Sequence, residues 1–283
     1  MPIAALCDRA TLHLTGPETE EFLQGIVTAD LAAVGPDAAA PAALLTPQGK
    51  ILFEFLISRI EGGVRLDGPA GLRAELKKRL ALYRLRRKIA IEESDEAVLA
   101  LWDGAKAADG LVDRRFPGGD VQRAYGAVPP GPEAVPAEAF RVLRIGRGVA
   151  ELGADYPQSE MFPHDVLMDF TGGVSFKKGC FVGQEVVSRM QHRGTARRRL
   201  MLVRAETPLA GAAEIMAADK PVGTLLAVED AAGLAMVRLD RLAKAAARGA
   251  AVTVEGVPAA LAIPSYAGYR IPAAGEDEAG DAA

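Results

Sequence analysis

The side chain best placed for chemistry in this 283-residue chain is Cys180. It stands in Gly172-Gly173-Val174-Ser175-Phe176-Lys177-Lys178-Gly179-Cys180-Phe181-Val182-Gly183-Gln184-Glu185. The pattern predicts a short apolar strand ending at the two lysines, then a sharp turn bracketed by Gly179 and Gly183. A helix is expected to open near Gly183, with Glu185 and Arg189 as an i,i+4 pair. Adjacent cations and a helix N-terminus both stabilise a thiolate, the form in which cysteine attacks or ligates. A buried, inert thiol is the commoner fate of a free cysteine. The flanking Lys-Lys-Gly and Gly-Gln-Glu favour the reactive alternative, with Lys178 as its partner. Cys7 lies in an apolar N-terminal stretch and reads as inert.

Three histidines, His13, His164 and His192, show no metal-ligand spacing. Two cysteines build neither a four-thiolate zinc site nor a self-contained iron–sulfur site. A resident metal is therefore not expected, although iron or sulfur could touch Cys180 transiently.

Charge is concentrated. Residues 72–90 carry eight cations against Glu75, and residues 177–204 carry eight against Glu185. The net charge of −4 thus divides into +14 on two short runs and −18 on the rest. One run alone reads as a solvated face. Two matched runs suit one shared anionic ligand if they meet in space.

Composition removes several classes. With 49% hydrophobic and 25% charged residues the chain is an ordinary globular protein, not a disordered or fibrous one. Aromatics at 5% leave few platforms for stacking bases, which argues against direct nucleic-acid binding. No stretch approaches the ~18 apolar residues of a membrane span. Met1 to Arg9 lacks a signal-peptide pattern, so a reducing, cytoplasmic compartment is the default expectation.

The elements that must position these residues follow from periodicity. Residues 9–15 alternate as a strand, and residues 18–26 have helical spacing at Phe22, Leu23 and Ile26. Residues 37–43, rich in alanine and proline, read as a loop. Strands are expected over 42–46, 51–60 and 64–67, and a helix over 70–82. Short strands follow at 89–92 and 97–102, then a proline-rich connector at 129–136 and a helix from 137 to 145. Strands at 200–204, 221–228, 234–238 and 251–254, with a helix over 239–248, suggest a small β-barrel.

The Cys180 segment resembles the signature Lys-Gly-Cys-aromatic-x-Gly-Gln-Glu of the YgfZ family of folate-binding proteins. That family is related to the T-protein (aminomethyltransferase) of the glycine cleavage system and to the mitochondrial assembly factor for four-iron, four-sulfur clusters. Phe22-Leu23-Gln24-Gly25-Ile26-Val27-Thr28-Ala29-Asp30 and Leu45-Thr46-Pro47-Gln48-Gly49-Lys50 are similar to further family segments. So are Arg144-Ile145-Gly146-Arg147-Gly148 and Phe162-Pro163-His164-Asp165, with Asp165 departing from the usual pattern.

The resemblance implies an α+β protein: a three-domain ring of antiparallel-sheet and helix domains with a small C-terminal β-barrel. Its divisions would be a discontinuous folate-binding core over 1–90 and 137–196, a second subdomain over 91–136, the barrel over 197–272 and an acidic tail over 273–283. It implies tetrahydrofolate or a derivative as ligand, with Gln24, Glu54, Arg144, Gln184, Glu185 and Arg193 as contacts. It also implies an accessory role in assembly or repair of iron–sulfur clusters in four-iron enzymes, among them those of tRNA modification, with assembly machinery or client enzymes as partners. The alternative is a tetrahydrofolate-dependent one-carbon transferase. T-proteins carry an Asp-Asp pair where this chain has Phe53-Glu54, which favours the accessory role, because group transfer tolerates little displacement.

Overall fold

The computed structural model describes residues 1–194 and 196–273. All of the acidic tail except Ala273 lies outside the described residues. Ten strands form one large mixed sheet. They are β1 (Pro2–Ala5), β2 (Arg9–Thr15), β3 (Ala38–Leu45), β4 (Ile51–Ile60), β5 (Gly63–Pro69), β6 (Ala90–Ser94), β7 (Val98–Leu101), β8 (Leu111–Asp113), β9 (Gln122–Tyr125) and β10 (Glu133–Ala134). Their spatial order is β10-β1-β7-β9-β8-β3-β4-β5-β2-β6, and the parallel pairing of β3 with β8 joins the two halves. The helices α1 (Thr19–Gln24), α2 (Arg73–Arg84) and α3 (Ala137–Arg147) accompany the sheet, and α4 (Gln184–Arg193) follows the cysteine segment. The closed barrel contains β11 (Arg198–Ala205), β12 (Glu214–Ala217), β13 (Lys220–Glu229), β14 (Ala232–Arg238), β15 (Val252–Val254) and β16 (Val257–Ala262), with α5 (Leu239–Ala246) between β14 and β15.

Apolar burial explains the layering. Most of β4 is buried on both faces, which its run Ile-Leu-Phe-Glu-Phe-Leu-Ile requires. Leu76 and Leu80 of α2 close one core over Phe53 and Phe55, while Trp102, Phe116 and Phe140 fill another beneath α3. A third cluster joins the sheet to the barrel: Leu45, Ile51, Phe181, Val187, Leu200 and Met236 all belong to it.

Two expectations need correction. Residues 38–41, expected as a loop, already belong to β3, whose second half is the strand expected from residue 42 and which is buried along its whole length. Alanine and proline obscured the strand because both are depleted in sheets. Pro41 is tolerated because β8 pairs only with Ala38 and Ala39, so no partner on that side needs its missing N–H. Conversely, the segment before Lys177 is no strand. It runs irregularly, tied by Ser175 N–H to the carbonyl of Thr28 (2.9 Å) instead of pairing along an edge.

Candidate functional site

The cysteine loop is built onto the N-terminal segment that shares its resemblance. The Thr28 hydroxyl donates to the Gly173 carbonyl (2.6 Å) and accepts from the Ala43 N–H (2.8 Å). Lys178 is buried, and its Nζ donates to the carbonyls of Val27 (2.7 Å) and Ala29 (2.8 Å). Burial lowers the pKa of this amine to about 8. Phe181 is buried too, and its ring centroid lies 5.5 Å from the Lys178 ammonium. Between these two anchors Gly179 and Cys180 are exposed. The loop therefore presents the thiol to solvent on a fixed base.

The base continues into α4. The Gln184 side-chain oxygen accepts from the Phe181 N–H (3.3 Å). Gly183 precedes the helix at φ +79°, and a Cβ there would sit 2.5 Å from the Thr46 carbonyl oxygen. Gly49, at φ +80° in the facing turn, is also close-packed, with a Cβ meeting Val186 at 3.0 Å. Behind α4, His164 Nε2 is 3.0 Å from Gln191 Oε1, its Nδ1 has no hydrogen-bond partner, and burial lowers its pKa. Glu185 is exposed. Arg193 ends α4, and its side chain lies outside the described residues.

Gln24 belongs to this same region but serves the loop before β3. Its amide nitrogen donates to Asp30 Oδ1 (2.9 Å), and its oxygen accepts from the Leu31 N–H (2.9 Å). Asp30, Arg114, Phe176 and Lys177 border a cleft of about 450 Å³ here.

Glu54 and Arg144 lie elsewhere, in a buried ionic network that the sequence did not announce. Arg115 pairs with Asp113 (2.8 Å) and Glu151 (2.6 Å), Arg9 with Asp67 (2.6 Å) and Glu151 (3.3 Å), and Arg144 with Glu151 (3.4 Å) and Asp155. Fully buried Arg123 reaches Asp113 (3.1 Å) and packs 4.9 Å from the Phe140 ring centroid, while its two terminal nitrogens lack hydrogen-bond partners. Burial by itself would raise Glu151, but Arg115, Arg9, Arg144 and Arg123 outweigh it and hold that carboxyl well below the usual range. Glu54 accepts from the Tyr156 hydroxyl and the Leu152 N–H (3.0 Å), and burial raises its pKa. These charges are scattered from residue 9 to residue 155, so no local spacing could have revealed them.

Two clefts flank the network and share Asp8, Glu151 and Ala154. The larger, about 540 Å³, is walled by Pro69, Leu72, Leu152 and Pro157, with Gln158 at its side. The smaller, about 310 Å³, is bordered by Arg144 and Cys7. Cys7 is exposed, not buried, because β1 ends at Ala5 and the chain turns outward.

Several cations of the basic runs have carboxylate partners of their own. Arg73 and Lys77 pair with Glu93 (3.2 Å each) and Arg87 with Glu21 (3.0 Å). Arg198 pairs with Asp165 (2.6 Å) and Arg199 with Asp169 (2.8 Å). These cations serve their own neighbourhoods and do not converge on one anion. Among the described residues no group of three or more His, Cys, Asp or Glu side chains could hold a metal, and no helix is long and apolar enough to cross a membrane.

Comparison with known proteins agrees with this geometry. Residues 197–269 match the model of the CAF17 C-terminal beta-barrel domain. The human mitochondrial iron-sulfur cluster assembly factor IBA57 is 30% identical over 272 residues, spanning 83% of this chain and 76% of that protein. The mitochondrial IBA57 homolog of Pyricularia oryzae is 29% identical over 221 residues, 70% of this chain and 56% of its own length. Among solved structures, the glycine cleavage system aminomethyltransferase T from Bartonella henselae superposes with a TM-score of 0.73, covering 93% of this chain and 85% of that one; at 15% identity it shows the fold alone. The cytoplasmic expectation is corrected by these findings, since the relatives are named mitochondrial.

Proposed function

The chain belongs to the family of the iron–sulfur cluster assembly factor IBA57, and from that premise we propose that it is an accessory factor in the assembly or repair of four-iron clusters, acting through Cys180. One observation carries the role of the thiol: Cys180 is exposed between two buried anchors, Lys178 and Phe181. An accessible thiol on an anchored loop can meet iron without first unfolding that loop. A single thiol holds a cluster only in passing, so the remaining ligands come from the assembly machinery or a client enzyme. In cells whose own copy is replaced by Cys180→Ser, four-iron enzyme activity, for instance that of a radical-type tRNA thiolation enzyme, is expected to fall at normal protein level. Full activity would remove the thiol from the proposal.

A reduced folate is part of the same proposal. The cleft of about 540 Å³ has the size of small-molecule sites, apolar walls for a planar pterin, and an amide at Gln158. The fit is one of size and lining. Of the residues expected to hold folate, Arg144 borders the adjoining cleft, and Gln24, Glu54, Gln184 and Glu185 do not line the larger one. Anaerobic equilibrium dialysis is expected to show saturable retention of tetrahydrofolate, weakened about tenfold by Gln158→Ala. No retention by the parent chain takes folate out of the function. Glu54, the carboxylate that one-carbon transfer would need, is engaged outside the cleft lining by Tyr156 and Leu152, so the transferase alternative gains no support from its geometry.

A further inference from the structure

The barrel carries a cleft that neither the thiol nor a folate uses. It lies between α5 and the β12–β13 turn, encloses about 420 Å³, and is floored by Ala217, Pro221, Val222 and Ala245. Four cations border it: Lys220, Arg241, Lys244 and Arg248. All four are exposed, and none of the described lining residues is acidic or aromatic. The cleft is thus cationic in a chain of net charge −4.

Asp219 and Asp240, next to it along the chain, are not among its lining residues. Asp240 is committed to Arg238 at 2.7 Å, and Asp219 projects from the exposed turn outside the lining. Part of the charge has a structural use, because cations near the C-terminus of α5 complement the helix dipole. That use does not account for Lys220, which belongs to β13, nor for Arg241 in the first half of the helix, whose Nη1 donates across the cleft to the Pro221 carbonyl (2.9 Å).

The shape of the charge selects the ligand. Arg241, Lys244 and Arg248 follow one another along α5 and its C-terminal turn, over roughly 10 Å at 1.5 Å per residue. This is a row, whereas a phosphate site gathers its donors around one point, commonly with backbone N–H groups. The absence of aromatic side chains from the lining disfavours single-stranded nucleic acid, which stacks its bases. A row of cations beside an aliphatic floor suits an extended chain that alternates carboxylates with small apolar side chains. We propose that this cleft docks an acidic, apolar-interrupted segment of a partner protein, holding that partner on the barrel independently of Cys180.

The test uses the full chain and a fluorescein-labelled hexapeptide alternating glutamate and leucine. Fluorescence anisotropy is expected to show saturable binding that weakens at least tenfold in the Lys220→Glu, Arg248→Glu double variant. The same charge change on the other basic run, Lys78→Glu with Arg86→Glu, is expected to leave binding within twofold. If the first variant fails to fold by circular dichroism, Lys220→Gln with Arg248→Gln replaces it. No saturable binding, equal weakening in both double variants, displacement by inorganic pyrophosphate at the peptide's own concentration, or tighter binding of an RNA oligonucleotide would each overturn the proposal. Cys180→Ser is expected to bind the peptide as the parent does, which keeps a failure here distinct from a failure of the thiol's role.

Discussion

Lys178 shows how one buried amine holds an exposed cysteine in place. Its pKa falls to about 8 because burial disfavours the charged form. The folded chain therefore binds this proton less tightly than the unfolded one, whose lysine titrates near 10.5. The cost is fully present below about pH 8 and is relieved as the pH rises toward 10.5. A neutral amine still donates hydrogen bonds, so the contacts with Val27 and Ala29 survive deprotonation. Lys178→Met should lower stability at pH 7 by about 1–3 kcal/mol, since two buried carbonyls lose their donor. It should also flatten the rise in stability above pH 8. Thermal melts of both chains across that range check this, and parallel curves would show that Lys178 does not carry the titration. The sequence pointed to Lys178 as a partner of the thiol. Only its two carbonyl acceptors show that it anchors the loop.

At the level of elements, α4 and the Thr46–Lys50 turn meet through two glycines in left-handed conformations. Gly183→Ala brings a Cβ to 2.5 Å from the Thr46 oxygen while keeping a backbone conformation that alanine resists. We expect a loss of about 1–3 kcal/mol, together with faster iodoacetamide modification of Cys180 as its base loosens. An unchanged modification rate at lowered stability would separate the turn from the presentation of the thiol. The helix start was legible because glycine and glutamine punctuate it locally. The first half of strand β3 was not, because residues 38–41 are alanine and proline and what makes them a strand is their pairing with β4 and β8.

Across the whole molecule, the network around Glu151 ties β2, β5, β8 and β9 to α3 and the 151–156 turn. Glu151→Gln leaves several guanidiniums without their shared carboxylate and should cost about 3–5 kcal/mol. Because Glu151 and Asp113 are held below the usual carboxylate range, their contribution is present above about pH 4 and is lost as the pH falls through the acid range. Glu54 and Asp155, raised by burial, act in the opposite sense. The variant should lose less further stability than the parent between pH 5 and 3, which denaturant titrations measure; equal acid slopes would contradict the assignment. The barrel is fastened by Arg199, which bonds the His164 carbonyl (2.7 Å) and Asp169 and packs beside the adjacent rings of Phe170 and Tyr269. Arg199→Met should split the melting curve into two transitions, and a single transition at the parental midpoint would show that the apolar interface suffices.

By itself the sequence determined the elements whose signals are local: the amphipathic helices, the long apolar strand β4, the barrel's strand-and-turn texture, and the glycine-bracketed cysteine with its lysine. Those signals reside in spacing along the chain, where turn chemistry and side-chain period act. The tertiary structure alone decided that several cations of the two basic runs pair with separate carboxylates, that Glu54 and Arg144 lie apart from the thiol, and that buried charges spread over nearly 150 residues close into one network. Coulombic pairing and burial depend on distance in space, and that distance is set only when the sheet halves and the barrel pack together.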